Sequence, residues 1–169
     1  VDGFSPSVLA YSVVLPIGAT NPAPTVSATA NDATATVEIT QAQNVDGTQI
    51  ERTASVKVTA QDLSSQTYTV EFSVAIPGAD ATLSDLMIDG TTVAGFAALT
   101  TTYNVALAAG TATVPTVTVT KNDVNATYQI TPATNLAGTE AERTTTILVT
   151  AQNTTTTKTY TVVFRVKSA

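Results

Sequence analysis

The feature that most constrains this chain is a strand–turn–strand segment that occurs twice. Residues 53–74 read TASVKVTAQDLSSQTYTVEFSV, and residues 144–166 read TTTILVTAQNTTTTKTYTVVFRV. Apolar residues alternate with polar ones along both strands, as Tyr68, Val70 and Phe72 do in the first copy. Because successive side chains of a strand point to opposite faces, this period of two is typical of a half-buried strand. Each copy therefore predicts a β-hairpin with one buried face and one solvated face.

The repetition extends along the whole chain. Phe4 corresponds to Phe96 and Tyr11 to Tyr103, and the Glu-Arg-Thr sequences at 51–53 and 142–144 also correspond. A chain of 169 residues that repeats itself once is best divided into two units, each long enough to bury a modest core. We predict two β-sandwich domains, residues 1–77 and 78–169.

Alternating apolar residues between turn signals predict five strands in each half. Their ranges are 9–16, 24–30, 34–40, 53–61 and 66–75, then 99–108, 115–121, 125–131, 144–152 and 158–167. The second half opens with one more predicted strand, in residues 81–90, whose core candidates are Leu83, Leu86 and Ile88. The predicted fold class is all-β, with two tandem antiparallel sandwiches.

The first half has no counterpart of this opening strand. Val1-Asp2-Gly3-Phe4 corresponds to Val93-Ala94-Gly95-Phe96, so the chain begins where the equivalent of residues 81–92 would end. A sandwich that lacks a strand exposes an apolar groove and unpaired backbone groups. Two explanations stay open: the sequence is an excised or processed piece, or a strand from another chain fills the groove. The predicted groove residues are Tyr11, Val13, Leu15, Tyr68, Val70 and Phe72.

The composition excludes several functional classes. The chain has no cysteine and no histidine, which removes disulfides, thiolate nucleophiles, Cys/His zinc sites and histidine-based triads. Its net charge of −6, without a cluster of basic residues, disfavours nucleic-acid binding. It contains no apolar run long enough to span a bilayer, so we predict no membrane insertion. We predict no cofactor.

Three sets of residues carry a resemblance to a known family. They are Leu83-Ser84-Asp85-Leu86, Thr102-Tyr103-Asn104-Val105 and Lys158-Thr159-Tyr160-Thr161-Val162, with the last two sets repeated around Tyr11 and Tyr68. With these residues aligned, both halves resemble the cadherin-like (immunoglobulin-like) β-sandwich domains of bacterial surface proteins. The resemblance implies extracellular spacers or adhesive modules of larger proteins, often beside polysaccharide-degrading enzymes. Fold resemblance alone assigns no site.

Calcium is the metal to consider, because cadherin-type sandwiches often bind it between domains and it requires several converging carboxylates. Asp80, Asp85 and Asp89 lie near the predicted junction and are the weak candidates. No Asp-x-Asp run occurs, and aspartate is a common turn residue because its side chain binds nearby backbone. Turn chemistry is the favoured interpretation of these residues.

Carbohydrate binding and catalysis find little support in the sequence. The five tyrosines and four phenylalanines all fit core positions, including Tyr128, which corresponds to Val37, and there is no tryptophan to stack on a sugar. The carboxylate pair Glu140/Glu142 lies side by side rather than across a cleft, unlike the pair a glycosidase needs. We therefore predict no enzyme and no catalytic residue.

Together these patterns predict a non-enzymatic structural or adhesive extracellular module of a bacterial surface. It would be a tandem spacer or a filament subunit joined by strand donation, whose partners are copies of itself or neighbouring domains of a larger protein. The alternative is a carbohydrate-binding accessory module of a secreted polysaccharide-degrading enzyme, with polysaccharide as its partner.

Overall fold

The computed structural model describes residues 1–168, which form eleven β-strands and no helix. The all-β fold class predicted from the sequence is confirmed. The chain divides into two compact units, Val1–Ile76 and a second that begins at Pro77.

The first unit contains one four-stranded sheet. Its strands are β1 (Ala10–Leu15), β2 (Thr36–Thr40), β3 (Thr53–Thr59) and β4 (Ser65–Val74), in the spatial order β1-β4-β3-β2. Strands β3 and β4 pair in antiparallel fashion, with Val56 opposite Tyr68, so the first predicted hairpin is confirmed.

The second unit contains two sheets. Strands β7 (Thr102–Leu107), β9 (Thr127–Thr131), β10 (Thr144–Thr150) and β11 (Thr157–Val166) form a four-stranded sheet in the order β7-β11-β10-β9. Strands β5 (Leu83–Ile88), β6 (Thr91–Thr92) and β8 (Val117–Lys121) form a three-stranded sheet in the order β6-β5-β8. The predicted opening strand of this half is confirmed, as is the β10–β11 hairpin.

The four-stranded sheets of the two units share their strand order and their register. Tyr11 lies opposite Val70 in the first unit, and Tyr103 lies opposite Val162 in the second. These two strand pairs, β1–β4 and β7–β11, run parallel, whereas the sequence predicted antiparallel sandwiches. No hairpin turn joins the members of either pair, so chain connectivity does not impose the antiparallel arrangement there.

The two cores differ in size. In the second unit, side chains of both sheets bury one another, and Leu83, Leu86, Tyr160 and Phe164 are fully buried. The core cluster of the first unit is smaller, and it contains the buried residues Val45, Ala54, Val70 and Phe72.

The strand predicted at residues 24–30 is wrong. Residues 23–30 have no regular secondary structure, although their counterpart in the second unit is strand β8. Strand β8 is hydrogen-bonded to β5, with Leu86 opposite Val119. The first unit contains no equivalent of β5 within the described residues, so residues 26–30 have no strand to pair with.

Candidate strand-acceptor groove

The inner face of the first unit's sheet carries an open apolar groove, which we call the acceptor groove. One part, with a volume of about 510 Å³, is lined by Phe4, Tyr11, Val26, Val56, Val58, Tyr68 and Val70, among other residues. An adjoining part of about 540 Å³ is lined by Val13, Pro24, Val26, Val70 and Phe72, among others. Val26 and Val70 line both parts, so the two form one continuous surface.

In the second unit the corresponding surface is covered by β5. Leu83 and Leu86 are fully buried in a cluster that includes Tyr103, Val149 and Tyr160. Val149 and Tyr160 have no exposed surface there, whereas their counterparts Val58 and Tyr68 are only half-buried. The absence of a β5 equivalent among residues 1–76 therefore accounts for the open groove.

A tyrosine hydroxyl marks the same difference at atomic detail. In the second unit the Tyr160 hydroxyl donates to the Ala98 carbonyl at 2.6 Å and accepts the backbone N–H of Leu83 at 3.1 Å. In the first unit the Tyr68 hydroxyl donates to the Pro6 carbonyl at 2.9 Å. Over residues 1–168, no backbone N–H donates to the Tyr68 oxygen, so one acceptor position faces the groove unused.

Burial also changes the chemistry of the covered tyrosine. Removal from water raises the pKa of the Tyr160 hydroxyl above its ordinary value of 10.0, because burial disfavours the phenolate. The hydrogen bond from Leu83 acts in the opposite direction and is the smaller effect. Tyr160 is therefore held in its neutral form, able both to donate and to accept a hydrogen bond.

The backbone along one side of the groove lacks partners. The Gln41 side chain accepts from the Val26 N–H at 2.8 Å and donates to the Val26 carbonyl at 2.7 Å, which satisfies that residue. In the part of the chain that the structure describes, the backbone groups of residues 27–30 make no comparable hydrogen bond. A row of free N–H and C=O groups beside an apolar surface is the usual site at which another strand adds to a sheet.

The groove residues predicted from the sequence fall into two groups. Tyr11, Val13, Tyr68, Val70 and Phe72 line the groove. Leu15 does not line it, and packs instead against the small core cluster of the first unit.

Sequence reasoning did not include Val56, Val58, Val26 and Phe4 among the groove residues. Val56 and Val58 share the face of Tyr68 through their β3–β4 pairing, so the alternation of β3 could have identified them. The other two residues lie outside the strands.

The prediction that all aromatic side chains are buried is wrong at two positions. Phe4 is 58% exposed, although its ring lies 5.7 Å from that of Tyr11 and 5.8 Å from that of Tyr68. Its counterpart Phe96 packs against the core that β5 completes, so Phe4 is exposed because that cover is missing. Tyr128 is 47% exposed in β9, the edge strand of its sheet.

Tyr128 stands apart from the other aromatic side chains of its unit. The remaining aromatic side chains of the second unit are buried or half-buried, so no second exposed ring of this unit accompanies it. Stacking of an extended glycan on this face would have to rely on one ring.

The weak calcium candidates each hold the local backbone. Asp80 accepts from the Thr82 hydroxyl at 2.6 Å, the Thr82 N–H at 2.8 Å and the Asn122 amide at 2.6 Å. These donors lower the pKa of Asp80 from its ordinary value, with the Thr82 hydroxyl the largest cause. The Asp80 carboxylate is thus already surrounded by protein donors.

The other two candidates have similar roles. Asp85 accepts the Leu86 N–H at 2.8 Å. Asp89, which has a positive φ of 47°, accepts the Thr116 N–H at 2.8 Å. Within residues 1–168 no three acidic side chains converge as a metal-binding group. Each of the three aspartates therefore holds a nearby backbone N–H, as the turn interpretation expects.

The carboxylates considered for catalysis also have structural partners. Glu140 pairs with Arg165 at 3.1 Å on the surface. Glu142 accepts the Thr139 N–H at 2.7 Å and its hydroxyl at 2.8 Å, which lowers the pKa of Glu142. Glu51 holds Thr48 in the same way and with the same effect on its pKa. Glu142 and Glu51 therefore close loops, and Glu140 belongs to a surface ion pair.

The described residues form no helix with the length and hydropathy that crossing a bilayer requires.

Comparison with known proteins finds similarity only among solved structures. No family model matches the chain, and no curated protein matches its sequence. Among solved structures, the human desmocollin-1 ectodomain is similar, with a TM-score of 0.41 and 12% identity over 96% of this chain and 41% of that one.

Two further similar structures contain several cadherin domains. Cadherin domains 1–4 of protocadherin gamma B7 align with a TM-score of 0.33 and 12% identity, over 96% of this chain and 50% of theirs. Domains 1–3 of Drosophila N-cadherin align with a TM-score of 0.24 and 11% identity, over 94% of this chain and 65% of theirs. The chain therefore spans less than two thirds of the length of these structures. The fold is defined by the strand order of the chain itself.

Proposed function

We propose that the chain is a non-enzymatic structural or adhesive module outside the cell, whose first unit accepts a β-strand from another chain. The acceptor groove carries this proposal. It combines an apolar surface, a free row of backbone groups at residues 27–30 and an unused acceptor on Tyr68. These are the three features that β5 satisfies in the second unit.

Strand donation would join subunits into a chain or attach the module to a neighbouring domain. Burial of apolar surface supplies the main driving force, at about 25 cal/mol per Å². The backbone hydrogen bonds of an added strand set its direction and register. Such a joint resembles the interior of a folded domain, and it suits a spacer or filament that must remain connected.

The test is negative-stain electron microscopy of the full-length protein produced in its natural host. Filaments or regular linear assemblies are expected for the native sequence. Val58→Asp places a charge in the acceptor groove, where Val58 is a lining residue, and is expected to abolish assembly. Val14→Asp is the matched control, because Val14 is 67% exposed and is not among the groove residues.

Single particles at all concentrations would contradict the proposal, as would assemblies that tolerate Val58→Asp as well as Val14→Asp. Circular dichroism of both variants checks that the sheets form. If the Val58→Asp variant fails to fold, Tyr68→Phe replaces it, because this change removes one hydroxyl and retains the ring.

A further inference from the structure

We infer that the acceptor groove binds a donor strand with the apolar pattern of β5, Leu-x-x-Leu-x-Ile, with a bulge directly after its first leucine. This inference rests on the proposed function and specifies the chemistry and the register of the donor, which comes from another chain. The second unit supplies the template, because β5 occupies there the surface that is open in the first unit.

The spacing of three between Leu83 and Leu86 is unusual for a strand. In a regular strand, residues three apart point to opposite faces. The pairing of β5 with β8 shifts by one residue between Leu83 and Asp85, which marks a bulge at Ser84. Both leucines are fully buried as a result. The bulge therefore turns two leucines at an odd spacing toward the same core.

The bulge has its own hydrogen bonds. The Ser84 hydroxyl donates toward the carbonyls of Lys121 and Thr120, at 3.1 and 3.3 Å. The corresponding residues of the first unit are Ala30 and Thr29, whose carbonyls belong to the unpaired segment 27–30. A small hydroxylated residue directly after the first leucine of the donor is thus part of the recognised pattern.

The hydrogen bond to Tyr68 sets the register of the donor strand. Leu83 donates its N–H to Tyr160, so the first leucine of the donor should donate its N–H to Tyr68. In β5 the next pairs are Leu86 with Val119 and Ile88 with Val117, running antiparallel. Transferred to the first unit, the donor runs antiparallel to residues 26–30. Its second leucine lies opposite Ala28 and its isoleucine opposite Val26.

Ala28 of the first unit corresponds to Val119, the residue opposite Leu86 in the second unit. Because alanine is smaller than valine, the groove has additional room for the donor side chain there. The shape of the groove therefore agrees with a donor whose second apolar residue is at least as large as leucine. A donor that kept the Leu-x-x-Leu spacing but formed no bulge would turn one of its two leucines toward water.

The experiment uses the full 169-residue chain and a synthetic peptide with the sequence of residues 81–92, ATLSDLMIDGTT. Binding is measured by calorimetry, and its location by hydrogen exchange with mass spectrometry. We expect binding at one site, with slowed exchange within residues 27–30 and no change at 117–121. The control peptide carries the change Leu86→Ser and keeps every other residue. Because it lacks the second leucine that is buried in the template, its binding should be weaker by about 30-fold.

Two protein variants check the register. Tyr68→Phe should weaken binding of the peptide about fivefold to tenfold, because the donor N–H loses its acceptor. Tyr160→Phe is the matched control and should leave peptide binding unchanged, since Tyr160 is covered by β5. Equal binding of the two peptides, or equal effects of the two variants, would overturn the inferred pattern.

A second arrangement separates this inference from the proposed function. The same twelve residues are fused directly before Val1, the position that Thr92 occupies before Val93. Protection within residues 27–30 in the fusion, without binding of the free peptide, supports the pattern and overturns donation between chains. Failure of both overturns the pattern, and assembly seen by microscopy would then require a donor of different chemistry.

Discussion

Replacement of Leu86 by alanine tests whether β5 is an integral part of the second unit. Leu86 has 0% exposed surface and lies in the core cluster of this unit. The change removes three carbon groups, whose transfer to water costs about 2.4 kcal/mol at about 0.8 kcal/mol each. A cavity remains where the surrounding side chains cannot collapse, which raises the expected loss of unfolding free energy to about 3–4 kcal/mol.

The assay is urea unfolding followed by circular dichroism, with hydrogen exchange to assign the affected unit. A loss of this size should lower the urea midpoint of the second unit by about 1 M or more. Leu99→Ala is the matched control, because Leu99 is 79% exposed and its loss should cost less than about 0.5 kcal/mol. If the two variants agree to within about 1 kcal/mol, β5 does not hold Leu86 in the core and the template for the donor strand is lost.

Three further changes test the second unit. The hydrogen bonds from Thr139 lower the pKa of Glu142 below its ordinary value of 4.5, so the ionised carboxylate stabilises the native protein above that pH and this stabilisation is lost as the pH falls. Glu142→Gln should therefore flatten the decline of the thermal unfolding temperature at acidic pH. Burial raises the pKa of Tyr160 above 10.0, so the neutral hydroxyl contributes fully to the free energy of unfolding below pH 10.0 and this contribution is lost as the pH rises further. Tyr160→Phe should therefore flatten the loss of stability at alkaline pH. A Cβ at Gly138 would lie 2.9 Å from the Asn135 amide and would displace the Glu142 carboxylate from Thr139, so Gly138→Ala should cost about 1 kcal/mol by thermal unfolding.

The hairpins could be predicted because their information is local. Alternation of apolar residues fixes which face of β3 and β4 is buried, and the short connection between them fixes the antiparallel direction. The burial of Leu83 and Leu86 was predicted from their apolar character. The bulge that brings both into one core was not, because their odd spacing is ambiguous until the pairing with β8 is known.

The features that the sequence predicted wrongly depend on strands that are distant in the chain. Residues 24–30 have the composition of a strand, yet they form none, since strand propensity is realised only when a neighbour pairs with it. The lack of a pairing strand also exposes Phe4. Its counterpart in the repeat, Phe96, packs against the core of the second unit. The parallel direction of β1 beside β4 also escaped prediction, because alternation specifies faces and not direction.

Most residues of the acceptor groove could be predicted from the sequence. The second half of the chain contains a strand at 81–90 that the first half lacks, so comparing the halves indicates which residues of the first half such a strand would cover. Comparison could not show that Tyr68 retains a free acceptor, since this depends on the path of the chain near Pro6 and on which N–H groups reach the hydroxyl.

The parallel pairing of β1 with β4 determines how the first unit carries tension. Ala10 lies opposite Thr69 and Leu15 opposite Val74, and the ladder continues with a 2.9 Å bond from the Ala75 N–H to the Leu15 carbonyl. A force that pulls the unit by its two ends draws these strands past each other along their length. Their hydrogen bonds then bear the load together, in shear, instead of opening one by one as in a hairpin pulled apart at its open end. The hydrogen bonds between β1 and β4 thus let the first unit resist stretching even while the acceptor groove is open.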